Sequence, residues 1–162
     1  MRDFLDAGDK VKSRAMMREL MDSSVQKVRL LVIDAMEWSG AAMIPDLVEL
    51  IGHKDEVTAE AALQAWERVV DGVDNDGLKC DLVFKAASAI TNVTFLHAVF
   101  MHLLSVDVMV AMPKLDAFIV ATKGKVCNIA AKEIFLHIAS EEWSSSERTG
   151  NLLKELKNKG TK

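Results

Sequence analysis

Met43-Ile44-Pro45-Asp46-Leu47 and Ala111-Met112-Pro113-Lys114-Leu115 carry one pattern twice, 68 positions apart. The chain has only two prolines, and these segments hold both. Proline costs little near a helix start, where its missing N–H would have had no partner. Each segment therefore reads as the opening of a helix. Further on, Ala61-Ala62 and Ala130-Ala131 correspond at an offset of 69, each inside a helix of similar pattern. Both offsets are close to two copies of a shorter unit. Asp34-Ala35-Met36-Glu37 and Gln64-Ala65-Trp66-Glu67 align at an offset of 30. The unit is a helix pair of about 30 to 36 residues, with small alanine pairs that let helices approach closely.

Helical periodicity runs through the rest. Val57, Ala61, Ala62, Ala65, Trp66, Val69 and Val70 fall at spacings that place them along one side of a helix. Val126, Ile129, Ala130, Ile134 and Ile138 do the same, with Phe135 beside them. Ser23 with Gln26, and Ser144 with Glu147, have capping-box spacing, and Asp55 is placed to cap the helix after it. Gly40, Gly52, Gly72 and Gly124 are placed as stops or turns. These signals predict helices at 10–21, 23–39, 42–53, 55–72, 77–90, 93–106, 108–122, 125–141 and 145–158. No segment shows strand alternation.

Composition agrees. The 162 residues suit one ordinary domain, half of them are apolar, and there are eight glycines and no tyrosine. So few chain breakers leave little room for a sandwich or barrel. A net charge of −4 argues against general phosphate-backbone binding. Cys80 and Cys127 lie among apolar residues and form no CxxC pair, so they read as small buried hydrophobes. Met1-Arg2-Asp3-Phe4-Leu5-Asp6 carries acids where a signal peptide needs an apolar core. As given, the chain reads as cytoplasmic; an N-terminally trimmed chain would read the same, which keeps export open. Ala86–Val106 is 21 residues without a formal charge, long enough to cross a bilayer. Its serines, threonines, histidines and Asn92 make it two helices and a boundary instead.

The segment Ile44-Pro45-Asp46-Leu47-Val48-Glu49-Leu50-Ile51, then Asp55, Ala61-Ala62 and Ala65, resembles a HEAT repeat. The resemblance covers residues 23–158 as four pairs: 23–53, 55–90, 93–122 and 125–158. The later pairs depart from the pattern: the basic residue early in the first helix is matched only by Arg29, and no proline opens the helices at 77 or 145. Armadillo repeats are a near alternative. The resemblance implies an all-α fold, a right-handed α-solenoid of about four HEAT-like helix pairs plus an N-terminal helix. Residues 1–22 would form an N-terminal capping helix, 23–158 the repeat domain and 159–162 a short basic tail. It further implies a noncatalytic scaffold or adaptor that binds a protein or peptide on a concave face formed by the second helices. The alternative is a small enzyme or enzyme subunit on the same solenoid, of lyase or nucleic-acid-processing type.

Charge separates on that assignment. The first helices sum to about −6 and the second helices to about +2. The candidate partner-binding residues on the second helices are Asp46, Glu49, Lys79, Lys85, Lys114 and Lys154. In the helix at 93–106, Leu96, Val99, Phe100, Leu103 and Leu104 face the core. Phe95, Ala98, Met101 and His102 then point elsewhere, which makes Phe95 and Met101 candidates for weak self-association.

No catalytic constellation, metal or cofactor is expected. His97 and His102 are five apart and do not share a helix face. HEAT-like deoxyhypusine hydroxylases hold two irons with repeated His-Glu pairs, and no His-Glu dipeptide occurs here. Asp71, Asp74 and Asp76 before Gly77 suggest a calcium loop, but its first and twelfth positions would be Gly72 and Val83, neither a side-chain oxygen ligand. Trp66 lies in the apolar stripe of its helix and reads as core.

Overall fold

A computed structural model describes the backbone of residues 7–142 and the side chains of residues 12–139. Among the described residues every regular element is helical. The chain divides into two compact units, Met1–Val73 and Asp74–Lys162. The division falls inside the expected helix pair 55–90. The expected helix at 145–158, the Ser144–Glu147 capping box and the tail 159–162 lie outside the described residues.

The first unit holds α1 (Ala7–Met21), α2 (Gln26–Ser39), a 3-10 turn (Gly40–Met43), α3 (Ile44–Ile51) and α4 (Glu56–Asp71). Helix α4 packs against both α2 and α3, and α1 packs against α2. Ile33, Met36, Leu47, Ala62, Ala65, Trp66 and Val70 are buried there. Each large apolar side chain fully withdrawn from water contributes about 1.5–3 kcal/mol before entropy is charged against it. Val57, expected in the α4 stripe, is 50% exposed, and Leu63 takes its place inside.

Helix starts depart from the capping boxes. Ser23 Oγ accepts the N–H of Val25, and the Gln26 side chain reaches Asp55. Val25 stands at the N-cap of α2 with no side-chain cap. Gly40 ends α2 at φ +74°, where a side chain would be strained. Pro45 lies in the first turn of α3, as its chemistry favours.

The second unit holds α5 (Asp76–Ala89), α6 (Val93–Met101), a 3-10 turn (His102–Ser105), α7 (Val108–Ala121) and α8 (Val126–Glu142). Helix α5 packs on α6 and α7, and α8 packs on α6 and α7. Phe118 stacks on Phe84 with ring centres 4.9 Å apart and meets the edge of Phe100 at 5.9 Å, which joins α5, α6 and α7. Asn75, Asn92 and Asp107 cap α5, α6 and α7 with their side chains. The Asn128 side chain donates to the Ile119 carbonyl at 2.6 Å and fastens α8 to α7.

Three expectations shift here. The helix predicted over 93–106 is α-helical only to Met101, then tightens to 3-10. That change of pitch buries Leu103 and leaves Leu104 40% exposed. Pro113 sits in the second turn of α7, not its first, and having no N–H it leaves the Met109 carbonyl without its usual helical donor. Val126 and Ile129, expected in the α8 stripe, are 46% and 64% exposed. No described helix is long and apolar enough to cross a membrane.

Candidate partner-binding surface

The site residues predicted on α3 behave differently from one another. Asp46 is fully buried, and Glu49, one turn on, is exposed. Arg14 donates to Asp46 Oδ2 through Nε at 3.0 Å and Nη2 at 2.8 Å. Arg18 donates through Nε to Oδ1. The two arginines are four apart on α1, so they share a face and both reach one carboxylate. Asp46, with Glu49 adding to the field, holds the Arg18 guanidinium more firmly in its charged form. As a free surface acid, Asp46 is therefore corrected: its oxygens are enclosed by α1. Arg14 and Arg18 were missed by the sequence reading, and their i, i+4 spacing was the available signal.

On α5, Lys79 is buried along most of its length, contrary to an open surface position. Long lysine stems do this while the ammonium stays near water. Lys85 is exposed, one turn beyond Asp81 on α5. Lys114 on α7 donates to Asp81 Oδ1 at 2.6 Å and to the Gly77 carbonyl at 3.4 Å. Its charge is thereby largely answered within the second unit, and Lys85 carries the outward positive charge of this patch. Lys154 lies outside the described residues.

A second polar knot stands at the start of α4. The Arg29 guanidinium, 8% exposed, donates to Thr58 Oγ1, to the Ser23 carbonyl and to Asp55. Asp55 also accepts from the Thr58 hydroxyl and from Gln26. The Thr58 hydroxyl first, then Arg29 and Gln26, hold the Asp55 carboxyl well below the usual carboxylate range.

Most of the inter-helix polar ties join residues 26 to 37 positions apart, with Arg29–Asp55 the shortest of these and Lys114–Gly77 the longest. Arg14–Asp46 spans 32 residues, Gln26–Asp55 and Arg29–Thr58 span 29, and Arg68–Glu37 spans 31. In the second unit the Asp107 N–H reaches Asp76 across 31 residues, and Lys114–Asp81 spans 33. His97 Nε2 lies 3.1 Å from a Glu133 oxygen.

Other surfaces are less built. Arg68 and Glu37 form a two-pronged pair beside an open depression of about 330 Å³ that Gly40, Ala41, Val69, Gly72 and Val73 also line. Trp38, next to Glu37, is 85% exposed. Of the self-association candidates, Met101 is 52% exposed and Phe95 is half-buried. Cys80 and Cys127 are buried free thiols, and burial pushes the Cys80 thiol up, away from its nucleophilic form. Among the described residues no three His, Cys, Asp or Glu side chains gather as a metal site would require. No family model, no curated protein and no solved structure matches the chain.

Proposed function

We propose that this chain is a noncatalytic HEAT-like interaction module, a scaffold or adaptor that binds a protein or peptide through second helices, α3 within the first unit and α5 and α7 within the second. The observation that carries this reading is the recurrence in both units of polar ties between residues 26 to 37 positions apart, among them Arg14–Asp46 and Lys114–Asp81. Packing supports it. Within the second unit α5 meets the next two helices, and α8 meets the two before it. Stacked hairpins bury their apolar faces in that way, and such arrays present extended binding surfaces. Of the candidate residues, the exposed Glu49 and Lys85 would meet the partner.

The test is quantitative binding with a partner purified after capture from the native cell. Charge reversal at Glu49 (Glu49→Lys) and at Lys85 (Lys85→Glu) should each weaken binding at least about threefold at low salt, because rim charges act mainly through steering. Unchanged affinity in both variants would count against the assigned surface.

A further inference from the structure

The acidic surface of α3 already has an occupant. Asp46 is fully buried because Arg14 and Arg18 of α1 close over it, with side chains still 40% and 56% exposed. Glu49 lies one turn further along α3. Among the described side chains of α1, Met21 is buried and Met17 partly so, while Met16 and Leu20 are 59% and 39% exposed. A helix that merely capped a hydrophobic end would turn those residues inward. This one leaves Met16 and Leu20 largely in water, and adds to its packing on α2 three N–H bonds from two guanidinium groups to one carboxylate.

We propose that α1 is a displaceable strap over the acidic surface of α3, and that the ligand this surface takes in trans is a helix bearing two arginines four residues apart. The inference rests on the reading of α3 as part of a partner-binding surface. The contact that α1 makes in cis is the template for the contact made in trans. Arginine is required because a planar guanidinium aims two N–H donors in fixed geometry at one carboxylate oxygen, as Arg14 does through Nε and Nη2, which a lysine ammonium does not. Tethering gives α1 an effective concentration of about millimolar order, so an outside helix enters when it binds better or when the strap is loosened.

Hydrogen exchange on the full chain tests the strap without any partner. In the double variant Arg14→Ala/Arg18→Ala, exchange in α1 should rise at least about tenfold while α4 is unchanged. A labelled synthetic peptide of residues 7–21 should then bind this variant at least about tenfold more tightly than the unsubstituted protein. The same peptide with alanine at both arginine positions should not bind, and adding Asp46→Asn to the protein should abolish binding. Undiminished protection of α1, or equal peptide binding to both proteins, overturns the proposal. A measurement on the unsubstituted chain guards against misfolding of the variant. Raising salt from about 0.05 M to about 1 M should speed exchange in α1 and not in α4, since salt screens the half-exposed guanidinium groups; no change in α1 overturns the proposal. None of these readouts depends on partner capture, so a failure of the strap and a failure of the interaction-module reading are separately visible.

Discussion

Asp46 and Lys114 occupy the same place in the repeated pattern, each directly after its proline, and the two units use them with opposite polarity. In the first unit the acid at this position receives Arg14, 32 residues earlier. In the second unit the cation reaches Asp81, 33 residues earlier. The tie is kept and its sign is inverted. The burial differs as well: the Asp46 carboxylate is shut off from water, whereas the Lys114 and Asp81 side chains are 37% and 61% exposed. In each unit the residue after the proline makes a charged link to a helix 32 or 33 residues earlier, with opposite sign. The consequence for stability is unequal. A carboxylate enclosed by its partners is costly to strand, while a half-exposed pair is worth little.

The correspondence can be broken first at the core. Trp66 and Phe135 lie at equivalent positions after the alanine pairs, and both are buried. Trp66→Ala should cost about 3–5 kcal/mol in urea unfolding, and Phe135→Ala should fall in the same range if the two sites are equivalent. Next, Asp46→Lys imports the second unit's residue into the first. It sets a cation against Arg14 and Arg18 and should cost about 2–4 kcal/mol, read from the same transition.

The Arg29 knot has no described counterpart of the same make-up in the second unit. Arg29→Ala should cost about 2 kcal/mol, because Asp55 and Thr58 lose a nearly buried donor. The pH dependence has a definite sign. The folded Asp55 carboxyl is more acidic than the unfolded one, so its contribution is present above the ordinary carboxylate range. It is lost as pH falls below about 4 toward the lowered folded value. Arg29→Ala should flatten that acid limb of the stability profile; an unaltered limb would mean that other carboxylates produce it. The smallest effect belongs to Lys114→Ala, less than about 1 kcal/mol, since the pair it breaks faces solvent. A loss as large as that of Asp46→Lys would erase the difference between the two positions.

Much of the helical organisation was legible because period and punctuation agree. Pro45, Asn92 and Gly40 mark boundaries by properties of their own backbone or side chain, so α3, α6 and the end of α2 were placed to within a few residues. The candidate site was less legible. Glu49 and Lys85 are exposed as expected, but Asp46 and Lys79 are buried, Asp46 beneath the arginines of α1. Ser23 and Gln26 show the same limit. Their spacing fits a capping box, but Gln26 finds Asp55, 29 residues away, and that contact cannot be read from spacing on one helix.

The sequence by itself determined the all-helical character of the described residues, since proline, glycine and apolar spacing act mainly through local geometry. Tertiary structure alone decided which charges are ligands to one another. It turned Asp46 inward beneath two arginines and tied Lys114 to Asp81. It also set the pitch change at His102 that put Leu103 inside and Leu104 out. Those outcomes depend on which helix lies against which, and burial and pairing energies are properties of that contact rather than of either segment.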